Sequence, residues 1–145
     1  MFHKPIKCRA GAKQEMIPSS GVQEGSVEGL WALVACSIRK PRELSHRGTL
    51  TLQAGRILGG HAHRAYAGTF EVQDQVVTAR LETWLWNPLS DKPSLFGVGP
   101  EYTDTYLWVG NVDPAFMAGE MTSDAVPGLG LTAALMKICD LSGAY

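Results

Sequence analysis

The sequence predicts an all-β domain, a meander of eight short antiparallel strands that closes on itself, and three observations predict it. Between Gly48 and Trp86, runs rich in β-branched and aromatic residues are separated by compact turn signals at Ala54-Gly55 and Gln73-Asp74-Gln75. Within those runs apolar residues alternate with polar ones, the period of a half-buried strand. An open meander would leave two unpaired edges prone to aggregation, and closure of eight strands removes both.

The domain begins near Val27. Leu30, Ala32, Val34 and Cys36 fall on one side of a first strand and Trp31, Leu33, Ala35 and Ser37 on the other, so both faces are largely apolar and call for cover on both sides or for a subunit contact. Arg39-Lys40-Pro41-Arg42 ends it in a solvated loop. In the second strand Leu50 and Leu52 oppose Thr49 and Thr51. Ala54 resists a positive φ, which predicts a type I turn with Gly55 in the left-handed position that follows. Ile57-Leu58 runs into Gly59-Gly60, a pair that marks a bulge, a sharp bend or a close backbone approach.

Tyr66, Gly68, Phe70 and Val72 share one face of the fourth strand. The fifth sets Val77, Ala79, Leu81, Thr83 and Leu85 against Thr78, Arg80, Glu82, Trp84 and Trp86. A loop spans 87–100, with Leu95-Phe96 docked over an open end of the barrel. Tyr102 to Val109 alternates with either face able to point inward, and Ala115 to Thr122 follows as a seventh strand. Leu129 to Cys139 carries helix formers with Leu131 and Leu135 four apart, yet the meander rhythm requires a closing strand there, and strand is the expectation.

The 145 residues provide for one domain, expected at 27–145 behind a flexible arm at 1–26 rich in Gly, Pro, Ser, Gln and Lys. Thirteen basic residues against 14 acidic, without a Lys/Arg run, give no footprint for nucleic acid or an anionic membrane. Cys8, Cys36 and Cys139 fit no metal spacing and read as free thiols in a reducing cytoplasm. No apolar run is long enough for a signal peptide or a membrane-spanning helix, and the expected location is cytoplasmic.

Few residues carry chemistry. His61 and His63 are two apart and share a strand face, where His46 or Cys36 could complete a metal site, but structural or surface histidines are the simpler reading and no metal is expected. No nucleophile motif accompanies Cys36, Cys139 or the serines, so neither catalytic residue nor cofactor is expected. Asp104 and Glu120 lie mid-strand and read as solvent-facing, as does the Arg80–Glu82 pair. If the barrel keeps a cavity, Tyr66, Phe70, Leu81, Tyr106, Trp108 and Phe116 line its interior or rim. Trp84 and Trp86, on an otherwise polar face, read as a partner or dimer surface.

The pieces Gly29-Leu30-Trp31, Gly48-Thr49-Leu50, Ala54-Gly55-Arg56, Leu58-Gly59-Gly60 and Tyr66-Ala67-Gly68-Thr69-Phe70, followed by Ser94-Leu95-Phe96-Gly97 and Tyr102-Thr103, stand in an order that resembles the GrlR-like family of small bacterial negative regulators of type III secretion. The resemblance runs from about Val27 to the C-terminus. It implies a calycin-like, lipocalin-like barrel with an apolar interior, a homodimer, and binding in place of catalysis: a regulator that holds a protein partner, a transcriptional activator, through an acidic patch. This chain departs from that pattern in having no consecutive acidic run and in carrying His61 where the family has an acid. The expected function is therefore a non-enzymatic regulatory protein that binds a protein partner. The alternative is a carrier or sensor holding a small apolar ligand in the barrel.

Overall fold

Eight strands form where the alternation places them: β1 (Gly29–Ala35), β2 (His46–Gln53), β3 (Arg56–Gly60), β4 (Arg64–Gln73), β5 (Val76–Leu85), β6 (Asp104–Asn111), β7 (Phe116–Ser123) and β8 (Gly130–Cys139). The computed structural model describes residues 27–141; the arm expected at 1–26 and the last four residues of the expected domain lie outside them. Each strand pairs antiparallel with the next, and β8 pairs with β1 to close the barrel. The closing element is thus a strand despite its helix-forming residues, because it supplies ladder partners to both β7 and β1 and would leave two bare edges as a helix.

The hairpin at Ala54-Gly55 differs from the expected type I form, and the one at Asp74-Gln75 takes the same shape. Gln53 pairs with Arg56, leaving only Ala54 and Gly55 to turn the chain, with φ of 53° and 77°. Gln73 pairs with Val76 across Asp74 and Gln75, with φ of 54° and 69°. Positive φ at both central residues is the primed type I turn, whose twist matches that of the flanking strands. The left-handed conformation costs an alanine about 1 kcal/mol. At Ala54 a compensating contact is present, since its N–H donates to Glu28 Oε2 at 2.7 Å. Gly59 marks a close approach without a bulge: a Cβ there would stand 2.8 Å from Leu50 Cα.

The inward phase of every strand is apolar over most of its length. Trp31, Leu33, Leu50, Leu52, Ile57, Tyr66, Phe70, Val77, Leu81, Tyr106, Trp108, Met117, Met121, Leu131 and Leu135 form one buried cluster. Trp108 fits because β7 carries glycine beside it: a Cβ on Gly119 would lie 2.6 Å from Trp108 Cε2. Its indole N–H donates to the Ala133 carbonyl at 2.9 Å. One end of the barrel is closed by Val27, whose carbonyl accepts from Trp31 Nε1 at 2.9 Å, and by Lys137, which lies over the Trp31 ring and pairs with Asp140 at 2.8 Å. Leu95 and Phe96 cover the other end, as their apolar character in a long loop requires. The space left inside is about 10 Å³, near the room needed for one water. The barrel is filled.

Val34 points outward from β1 yet is buried, as is Ala134 beside it on β8, while Leu30 and Ala32 on the same face are half-buried. Of the cysteines, Cys36 is free and buried. Cys139 is disulfide-bonded, which corrects the expectation of free thiols throughout; separation along the chain does not set separation in space. No helix among the described residues is long and apolar enough to cross a membrane.

Candidate functional site

The buried polar residues other than Lys137, namely Arg64, Thr83, Ser94, Asp104 and Ser123, collect at the Leu95–Phe96 end. Strand β3 stops at Gly60 and β4 starts at Arg64, so His61, Ala62 and His63 make the connection. The carbonyls of this connection are held from outside: Trp86 Nε1 donates to His61 O at 2.8 Å, Asn87 Nδ2 to Ala62 O at 3.1 Å and Trp86 N to His63 O at 3.1 Å. Inside it, the His63 N–H donates to His61 Nδ1 at 3.2 Å. His46, at the start of β2, stacks edge-on against His61 with ring centroids 4.4 Å apart, and its Nε2 bonds the Tyr66 hydroxyl at 2.7 Å. The centroids of His61 and His63 are 5.6 Å apart. Sequence spacing brings His61 and His63 together; the antiparallel pairing of β2 with β3, which sets Thr49 opposite Gly60, adds His46.

Below the histidines sits Arg64, only 2% exposed. Its guanidinium donates to Thr83 Oγ1, Thr83 O, Tyr102 O and Lys92 O at 3.1–3.3 Å. Among the described residues no carboxylate pairs with it. Asp104, the buried acid at this end, is committed elsewhere. Ser94 Oγ and Ser123 Oγ each donate to it at 2.6 Å, and the Thr105 N–H donates at 2.8 Å. Asp104 is 2% exposed, which corrects the expectation that it faces solvent; it shares the inward phase with Tyr106 and Trp108. Glu120, Arg80 and Glu82 are exposed, as expected.

His46, His61, His63, Arg64, Tyr66 and Tyr106 line a cleft of about 320 Å³ at the mouth of the barrel, with Arg47, Lys92 and Leu95 completing its walls. Burial first, and then the neighbouring His63, pull the His46 imidazole down to about 4. Burial, then His46, His63 and Arg64, do the same to His61. Both rings are therefore neutral at pH 7. Burial drives the Tyr66 and Tyr106 hydroxyls above the usual phenol range, so they stay protonated donors. Among the described residues no group of three or more His, Cys, Asp or Glu is placed to hold a metal ion.

Of the residues expected to line an interior, Tyr66, Phe70, Leu81, Tyr106 and Trp108 are buried inside the barrel. Leu81 and Trp108 border the small internal void, and Tyr66 and Tyr106 reach the cleft. Phe116 is not an interior residue: it is 50% exposed, because Met117, Gly119 and Met121 take the inward phase of β7. Trp84 and Trp86 are 38% and 53% exposed, and Trp86 also braces the histidine connection. Arg64 and Lys92 were not singled out by sequence. Counting back two from inward-facing Tyr66 puts Arg64 inside, whereas no local signal marks Lys92.

No protein-family model matches the chain, and no curated protein matches it. Fold and site together describe a closed, filled eight-stranded antiparallel barrel with a polar cleft at one end.

Proposed function

We propose that this protein is a non-enzymatic regulator that acts by binding a protein partner through the outside of its barrel, and that it does so as a homodimer. The observation that carries this reading is the filled interior. About 10 Å³ does not admit the small apolar ligand that a carrier or sensor would hold, so recognition falls to the surface. The resemblance to GrlR-like regulators supports the same reading and makes a transcriptional activator the partner. Without an acidic run, contact rests on apolar area in place of charge. The end of β5 and the loop after it expose Trp84, Trp86, Leu89 and Tyr102. Trp84 lies opposite Ala65 on β4 and keeps 38% of its surface exposed.

Sedimentation equilibrium of the wild type and of Trp84→Ala tests this. Loss of a large aromatic anchor weakens a dimer by about tenfold or more, while the melting temperature stays within about 4 °C because the ring is exposed and not core. A monomeric wild type, or a Trp84→Ala dimer of unchanged affinity, refutes the dimer surface.

A further inference from the structure

The cleft at the mouth of the barrel is not used by a surface that binds protein, and its chemistry is specific. Its cationic side chains are Arg47 from β2, Arg64 from β4 and Lys92 from the long loop, and among the described residues no Asp or Glu lines it. Asp104, the buried acid at this end, has both carboxylate oxygens bonded to Ser94, Ser123 and the Thr105 N–H. A buried guanidinium whose partners are hydroxyl and carbonyl oxygens projects an uncompensated positive charge into a partly desolvated space.

The histidines add direction. His61 Nδ1 accepts the His63 N–H, so the neutral His61 ring carries its proton on Nε2. That Nε2 is buried and has no partner, as is His63 Nδ1. A buried N–H donor without an acceptor costs about 1–3 kcal/mol, and a ligand oxygen in the cleft satisfies it. A metal ion does not. Ligation at His61 Nε2 would move the proton to Nδ1, against the His63 N–H, beside the Arg64 cation.

We propose that this cleft is a binding site for a small organic anion, a carboxylate or a phosphate, which accepts from His61 Nε2 and lies in the field of Arg64, Arg47 and Lys92. The volume of about 320 Å³ is at the small end of ligand sites and fits a compact anion. The groups facing the histidines are Arg47 from β2, Arg64 and Tyr66 from β4, Lys92 from the loop and Tyr106 from β6. None is an acid that would repel an anion.

The test is isothermal titration calorimetry of the full chain with inorganic phosphate and with malonate, at pH 7 and fixed ionic strength. The expected result is saturable binding of at least one anion, with the preferred probe naming the headgroup class. Lys92→Gln, an exposed change that leaves the fold intact, weakens it by about threefold or more, and His61→Ala weakens it further. Trp84→Ala leaves it unchanged, so this site and the dimer surface stand or fall separately. Absence of saturable binding of both anions up to about 20 mM overturns the proposal. So does affinity indifferent to both cleft substitutions, or stoichiometric Zn²⁺ binding by a protein that takes neither anion.

Discussion

Replacing Asp104 by alanine should be among the most damaging single changes away from the apolar core, because that carboxylate joins three separate segments. Its Oδ2 accepts from Ser94 Oγ at 2.6 Å, tying the loop that covers the barrel end to β6. Its Oδ1 accepts from Ser123 Oγ at 2.6 Å, tying the end of β7 to the same point. The two hydroxyls are themselves acceptors: Ser94 Oγ takes the Phe96 and Val98 N–H groups at 3.2 and 3.0 Å, and Ser123 Oγ takes the Ala125 N–H at 3.0 Å. Hydrogen bonds to a charged group contribute about 1.5–3 kcal/mol each, and relief from burying a charge returns part of that sum. The net loss for Asp104→Ala is about 3 kcal/mol, equivalent to about 10 °C in melting temperature for a domain of this size. Asp104→Asn keeps the shape and one acceptor but turns an amide toward a hydroxyl already holding two N–H donors, and costs about 2 kcal/mol. Urea unfolding followed by tryptophan fluorescence measures both. Amide exchange should also quicken at Phe96 and Val98 before it does in the strands. If Asp104→Ala lies within about 1 kcal/mol of the wild type, the carboxylate does not hold the barrel end and the reasoning fails.

Two further predictions concern the turn and the histidines. Ala54→Gly removes the left-handed strain at φ 53° and should raise stability by about 0.5–1 kcal/mol, read from the urea midpoint; a lower midpoint contradicts the strain assignment. His46 and His61 titrate near 4 in the folded chain against 6.5 in the unfolded one, so the unfolded state takes up protons first as pH falls. Their contribution is complete above pH 6.5 and is lost between 6.5 and about 4, amounting to at most about 3 kcal/mol for His46 and less for the more exposed His61. His46→Gln should flatten the stability profile across that window, and a profile parallel to the wild type would refute the burial of a neutral ring.

Strand positions and the closing of the sheet were legible in sequence because both follow from period-two alternation and from the need to pair edges. Which face of a strand turns inward was legible only where one face was clearly polar. Tyr102 to Val109 allowed either phase, and the large rings of Tyr106 and Trp108 decided it, carrying Asp104 inside with them. At β7 the aromatic Phe116 faces outward, and the interior is filled instead by the flexible side chains of Met117 and Met121. At Ala54 the residue's own preference argued against a primed turn, and the two-residue register between Gln53 and Arg56 overrode it. The cleft was half legible. His61 and His63 were visible as a pair with His46 as a candidate third, which the β2–β3 pairing brings beside them, but Lys92 arrives from a distant loop that no sequence spacing ties to the histidines.

Native mass spectrometry of freshly purified protein tests most directly the claim that a filled barrel works through its surface. The account predicts an apolar-ligand-free dimer at twice 15.7 kDa, with at most a small anionic adduct that exchanges when phosphate or malonate is added. A monomer at working concentration, or a retained apolar molecule of several hundred daltons, would contradict it.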